Sequence, residues 1–164
     1  MKIELKNVKH SEFASHETNC FEASIYIDGK KAGTVMNHGS GGPHFYYPPA
    51  IEDTINAYAK TLPKHKWKYN GQELEIAQDA DTLVSDILVQ CLYARDLKRA
   101  LAKRILFVSK DGILKESKAF TKDKLAAALA LPDLPARVGS ATILNFMPFD
   151  LALQTYRTTI AAGA

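Results

Sequence analysis

The sequence predicts an α+β fold, a mostly antiparallel sheet built from hairpins and covered by helices on one face. Alternating apolar and polar runs meet in pairs across Asp28-Gly29, Asn70-Gly71 and Asp111-Gly112, dipeptides that favour tight hairpin turns. Segments with apolar residues at helical spacing lie between these pairs. Each short connection between candidate strands carries a turn, whereas parallel strands need long crossovers. A chain of 164 residues, 46% hydrophobic and 24% charged, fits one globular domain over 1–164 with enough apolar surface for a core. No repeat or linker divides it.

Residues 2–9, KIELKNVK, alternate as a half-buried first strand, and His10 to Asn19 reads as a polar loop. The next hairpin is centred on Asp28-Gly29. A type I′ turn there sets Ile25 opposite Ala32, Ala23 opposite Thr34 and Phe21 opposite Met36, giving one apolar face. Residues 39–49 then read as a loop. Pro48 and Pro49 suit a helix's first turn, and Ile51, Ile55, Tyr58 and Ala59 form its stripe before Pro63 ends it.

In the second hairpin Trp67 and Tyr69 oppose Leu74 and Ile76 on an expected buried side. Asp81 is the expected cap of the longest helix, whose apolar stripe runs through Leu83, Val84, Ile87, Leu88, Cys91, Leu92 and Leu97 to about Lys103. In the third hairpin a three-residue turn with a left-handed Gly112 pairs Val108 with Leu114, so a bulged turn is expected. Thr121 caps a short helix, Leu125 to Leu131. PDLPARVGSA reads as loop and Thr142–Phe146 as a short strand. The last helix opens at Pro148 with a stripe of Phe149, Ala152, Leu153, Tyr156 and Ile160.

The site-like feature is the loop between the first hairpin and the first helix. His38, Gly39, Ser40, Gly41, Gly42 and His44 could hold a phosphate or carboxylate, because glycines allow close backbone approach and imidazoles add donors. The loop lacks the Lys-Ser/Thr ending of a P-loop and is not GxGxxG. Five histidines and two cysteines show no C-x-x-C or H-E-x-x-H spacing, so no metal or cofactor is expected. Cys20 with His44 carries no nucleophile signature. Both cysteines are expected to be buried thiols.

Between Lys98 and Lys124 nine Lys or Arg stand against three acids, an excess that suits phosphate or an acidic surface. Arg95, Lys98, Arg99, Lys103, Arg104 and Lys110 are the candidate partner contacts. The alternating cations and rings of Lys64 to Tyr69 read as strand core rather than as a nucleic-acid face. No apolar run nears the roughly 20 residues that cross a bilayer, and MKIELKNVKHSEF lacks a signal peptide's apolar core, so we expect a cytoplasmic protein with no membrane partner. A homo-oligomer could form through an unpaired edge strand.

The runs SEFASHETNCFEASIYIDGKKAGTVMNHGSGG, LKRALAKRILFVSKDGIL and TILNFMPFDLALQTYR resemble small uncharacterised proteins of tailed bacteriophages and prophages. The resemblance transfers no catalytic residue. It implies an accessory protein in the host cytoplasm that binds and inhibits or redirects a host protein or protein–nucleic-acid complex, such as a defence component countered in the manner of an anti-CRISPR. Two alternatives stand beside it: sequestration of a nucleotide or other phosphorylated small ligand by the Gly39–His44 loop, and sequence-independent nucleic-acid binding through residues 98–124.

Overall fold

A computed structural model describes residues 1–69, 72–140 and 142–163, with the backbone alone at 67–69, 162 and 163. The fold is α+β and its strand pairs are antiparallel. Among the described residues the strands form three separate sheets rather than one. By contacts the chain divides into two compact units, Met1–Cys91 and Leu92–Ala164.

The first unit is built on a four-stranded sheet in sequence order: β1 (Ile3–Ser11), β2 (Cys20–Ile27), β3 (Lys30–His38) and β4 (Phe45–Tyr47). Its first hairpin has the expected two-residue turn, with Ile27 opposite Lys30 and Tyr26 opposite Lys31. The expected register holds no further. An irregularity beyond Tyr26 sets Ile25 opposite Gly33, Ala23 opposite Val35 and Phe21 opposite Asn37. Because side chains alternate between faces, this one-residue bulge inverts the rest of β3. Val35 and Asn37 turn inward, and Met36 turns outward to 37% exposure.

The inner face carries Leu5, Phe21, Ala23, Ile25, Val35 and Tyr46, all buried. Helix α1 (Ala50–Ala59) presents buried Ile51, Ile55 and Ala59. Ile51 presses on Gly33, where any side chain would collide with it and with the Tyr47 carbonyl. Helix α2 (Ala80–Leu101) contributes buried Val84 and Leu88 to this unit, and its Cys91 thiol donates to the Leu5 carbonyl at 3.9 Å. Both cysteines are half-buried rather than fully buried. The outer face holds an exposed ledge of Met36, Phe45 and Tyr47, beside a Lys9–Glu22 ion pair and the Lys6 ammonium over Tyr26.

Asp79, not Asp81, caps α2: its Oδ1 accepts from the Thr82 amide at 2.8 Å, and hydrogen bonding from the Thr82 side chain, then from that amide, holds its carboxyl below the usual range. Ahead of α2, β5 (His65–Tyr69) pairs with β6 (Gln72–Ile76), Trp67 opposite Leu74. The expected Asn70-Gly71 turn lies outside the described residues. Leu74 and Ile76, expected in the core, are exposed, because among the described residues β5 and β6 pair only with each other and so narrow a ribbon does not shelter its own face.

In the second unit β7 (Leu106–Val108) is the centre of a three-stranded sheet, between β8 (Leu114–Glu116) and β9 (Thr142–Ile143). The bulged turn is present: Val108 opposes Leu114 and Gly112 has φ +77°. Alternate residues along this stretch feed two cores. Leu106 joins Leu97, Leu144 and Ala152, while Ile105 joins Leu125, Leu134 and Ile143.

Thr121 precedes α3 (Lys122–Leu129) but makes no side-chain capping bond. The segment expected to be loop contains a short helix, α4 (Leu134–Val138), closed by Gly139 at φ +67°. It forms because Pro135 fits a first helical turn and Leu134 has a core site to fill. The expected strand 142–146 is shorter: after Ile143 the chain tightens into a 3-10 turn, Leu144–Phe146. There Asn145 Oδ1 accepts from the Leu106 amide at 2.9 Å, and its Nδ2 donates to the Arg104 carbonyl at 2.9 Å. Helix α5 (Phe149–Gly163) ends the chain, with Ala152 buried and Tyr156 packed edge-on to Tyr93.

Candidate functional site

The glycine-rich loop is organised by Asn37, which the bulge in β3 turns onto the inner face, where it is 2% exposed. Its Oδ1 accepts from the Gly39 amide at 2.8 Å and from Thr18 Oγ1 at 2.7 Å. Its Nδ2 donates to the carbonyls of Gly42 and Pro43, at 3.2 and 3.3 Å, and to His44 Nδ1 at 3.0 Å. A backbone N–H can only donate and a carbonyl can only accept, so these bonds fix which end of the amide is which. Gly39, Gly41 and Gly42 all have φ near +85°, the conformation that lets so short a loop fold over one side chain.

Beyond the loop, β4 and the first turns of α2 complete the cluster. The His44 amide donates to Asp81 Oδ2 at 3.0 Å and the Tyr46 hydroxyl to Asp81 Oδ1 at 2.9 Å. His44 Nε2 and Ser85 Oγ are 2.9 Å apart. Burial holds the His44 imidazole below its ordinary pKa, against the opposing pull of Asp81 and Asp79. Burial and the bond to Asp81 push the Tyr46 phenol up, so it stays a donor.

A serine hydroxyl against an imidazole is the geometry of an activated nucleophile, but activation needs the facing nitrogen to accept the hydroxyl proton. Asn37 donates to Nδ1, which must therefore carry the lone pair. In the neutral ring Nε2 then bears the hydrogen and donates to Ser85 Oγ. This pair braces the loop and is not set up as a base and nucleophile.

The expected ligand residues separate. His38 lies on the outer face with its ring 5.4 Å from Phe45, while His44 lies on the inner face edge-on to Phe21 at 5.1 Å. The two imidazoles do not face one anion, and Cys20, opposite His38 in the register, does not meet His44. Three loop amides are also engaged: Gly39 by Asn37, Gly41 by Thr18 Oγ1 at 3.3 Å, and His44 by Asp81. The Glu17 carboxylate stands where a side chain on Gly41 would project, which adds negative charge beside the loop. Ser40 is exposed at its tip.

The partner candidates are better grouped. Arg99, Lys103 and Arg104 line a depression of about 500 Å³ with Asp96 and Glu116. Arg104 pairs with Glu116, and Arg95 Nε is 3.5 Å from Asp96. Lys98 lies over the Phe149 ring at 5.1 Å. Lys110 is apart from these, at the hairpin turn beside Ser109, Ser140 and Thr142. Charge divides unevenly between the units: nine lysines against twelve acids before Leu92, and twelve Lys or Arg against six acids after it.

Asn37, Thr18, Tyr46, Asp81 and Ser85 are functional candidates that the sequence reading missed. The available signal was an asparagine two residues ahead of a glycine run, at a strand position that is buried once the bulge is counted. Among the described residues no helix is long and apolar enough to cross a membrane. No family model, curated protein or solved structure matches the chain.

Proposed function

We propose that the chain is a non-catalytic, phage-type accessory protein that binds a host protein or protein–nucleic-acid complex in the host cytoplasm and blocks it by covering a surface. A defence component is the class of target. The observation that carries this reading is the basic surface of the second unit. Lys98, Arg99, Lys103 and Lys110 are exposed and make no ion pair among the described residues. Cations left unneutralised on a folded surface attract acidic partners and speed encounter.

Capture from host lysate tests it, with the wild-type chain beside an Arg99→Glu/Lys103→Glu/Lys110→Glu variant of equal melting temperature. The wild type retains a defined partner that 0.5 M salt and the variant both lose. A wild type that retains nothing, or a variant that retains the same partner, refutes the reading. Nuclease treatment separates a protein target from direct nucleic-acid binding through residues 98–124. A phosphorylated small ligand at Gly39–His44 is the weaker reading, since three amides there are already bonded.

A further inference from the structure

We infer that His44 is a proton-operated latch on the glycine-rich loop: a neutral imidazole holds the loop closed through Asn37, and a second ring proton releases it. Nε2 already carries a hydrogen toward Ser85, so an added proton must go to Nδ1. There it meets Asn37 Nδ2 at 3.0 Å, and two donors face each other.

Rotating the Asn37 amide does not relieve the conflict. It would turn NH2 onto the Gly39 amide and set Oδ1 against the carbonyls of Gly42 and Pro43. Either His44 or Asn37 must therefore let go. If Asn37 does, the Gly39 amide and both carbonyls lose their buried partner together.

The charges beside the ring favour an imidazolium that stays in place, so Asn37 is the partner that lets go. Asp81 and Asp79 at the start of α2 are the charges that act on the ring. Asp81 is already bonded to the His44 amide and the Tyr46 hydroxyl. The other groups against the ring are uncharged: Ser85 from α2, Phe21 from β2, Tyr46 from β4 and Asn37 from β3. Glu17 lies beside Gly41 from the preceding loop. Acid thus converts a closed, internally bonded loop into one with free N–H donors.

Nitrogen-15 NMR of the full chain from pH 8 to pH 5 tests the latch, with hydrogen-exchange protection at the Gly39 and Gly41 amides. The neutral ring is expected as the Nε2–H tautomer. Protection of both amides should fall at least tenfold, after correction for intrinsic exchange, with the same midpoint as the His44 ring. In His44→Gln, whose side-chain oxygen accepts from Asn37 without titrating, protection should not follow pH. In Asn37→Asp, whose carboxylate accepts from a protonated Nδ1, the ring midpoint should rise. An Nδ1–H tautomer in the wild type, or loop protection that ignores the His44 midpoint, overturns the latch even if neither variant folds.

Discussion

Gly33 lies directly beneath Ile51: a Cβ on Gly33 would sit less than 3.0 Å from both the Ile51 Cδ1 and the Tyr47 carbonyl oxygen. No positive φ requires glycine there, so space alone does. Helix α1 can settle on the sheet because β3 lacks a side chain at the crossing. The bulge after Tyr26 is what places that gap under the helix, since it sets Gly33 opposite Ile25 on the inner face.

Gly33→Ala therefore overpacks a contact bounded partly by backbone, which cannot swing aside. The expected loss is about 3 kcal/mol, at the upper end for overpacked cores. Ile51→Val, which removes one methylene from the same contact, should cost about 1 kcal/mol. Urea denaturation of the two variants checks this. A Gly33→Ala chain within about 0.5 kcal/mol of wild type, the range of neutral surface changes, would mean that α1 does not cross the sheet at this point.

The register of β3 also marks how far the sequence could be read. Turn chemistry at Asp28-Gly29 and Asp111-Gly112 specified both turns, because two or three residues decide them locally. Helix stripes such as Ile51, Ile55 and Ala59 were legible for the same reason. The bulge was not, because the alternative register buries Met36 instead of Asn37 and looks better by hydrophobicity alone. Burying Asn37 is favourable only when five partners surround it, and four of those lie in a loop whose shape the pattern does not encode. Asp81 was misread similarly: Asp79 satisfies the helix end, which leaves Asp81 for β4. Strand β4 itself is three residues long and defined by its partner, so no alternation announced it.

Asp81 accepts from two donors, and this asymmetry gives a pair of expected outcomes. Tyr46→Phe deletes one donor and leaves Asp81 bonded to the His44 amide, so it should cost about 1–2 kcal/mol. Asp81→Ala strands both the buried Tyr46 hydroxyl and the His44 amide, and should cost about 3 kcal/mol or more. Chemical denaturation of the single and double variants measures both. In Asp81→Ala the Tyr46→Phe change should become nearly neutral, because its partner is already gone. Additive losses would show that Tyr46 is held by something other than Asp81.

Ser85 is expected to be inert toward acylating reagents. Its oxygen receives a hydrogen from His44, and among the described residues no group is recorded as taking its proton. A fluorophosphonate probe should leave the wild-type chain unlabelled at pH 8, by intact mass. Adduct formation that Ser85→Ala abolishes would refute the non-catalytic reading and reassign the cluster as a nucleophile with its base.

The same imidazole gives folding stability a pH slope whose sign follows from burial. His44 is held below the ordinary imidazole value of about 6.5, chiefly by desolvation, with Asp81 and Asp79 opposing. As pH falls through about 6.5 the unfolded chain takes up a proton that the folded chain refuses, so the unfolded state gains and stability declines. The decline continues until folded His44 is itself protonated. Above about 6.5 both states are neutral and this residue contributes no slope. The urea midpoint should therefore be flat from pH 8 to 7 and fall between pH 6.5 and 5, whereas in His44→Gln that fall is reduced. Depressed Asp79 adds a separate loss at lower pH, below the ordinary carboxylate range, as the carboxyl bonded to Thr82 is protonated. A His44→Gln profile parallel to wild type between pH 6.5 and 5 would assign the slope to other groups.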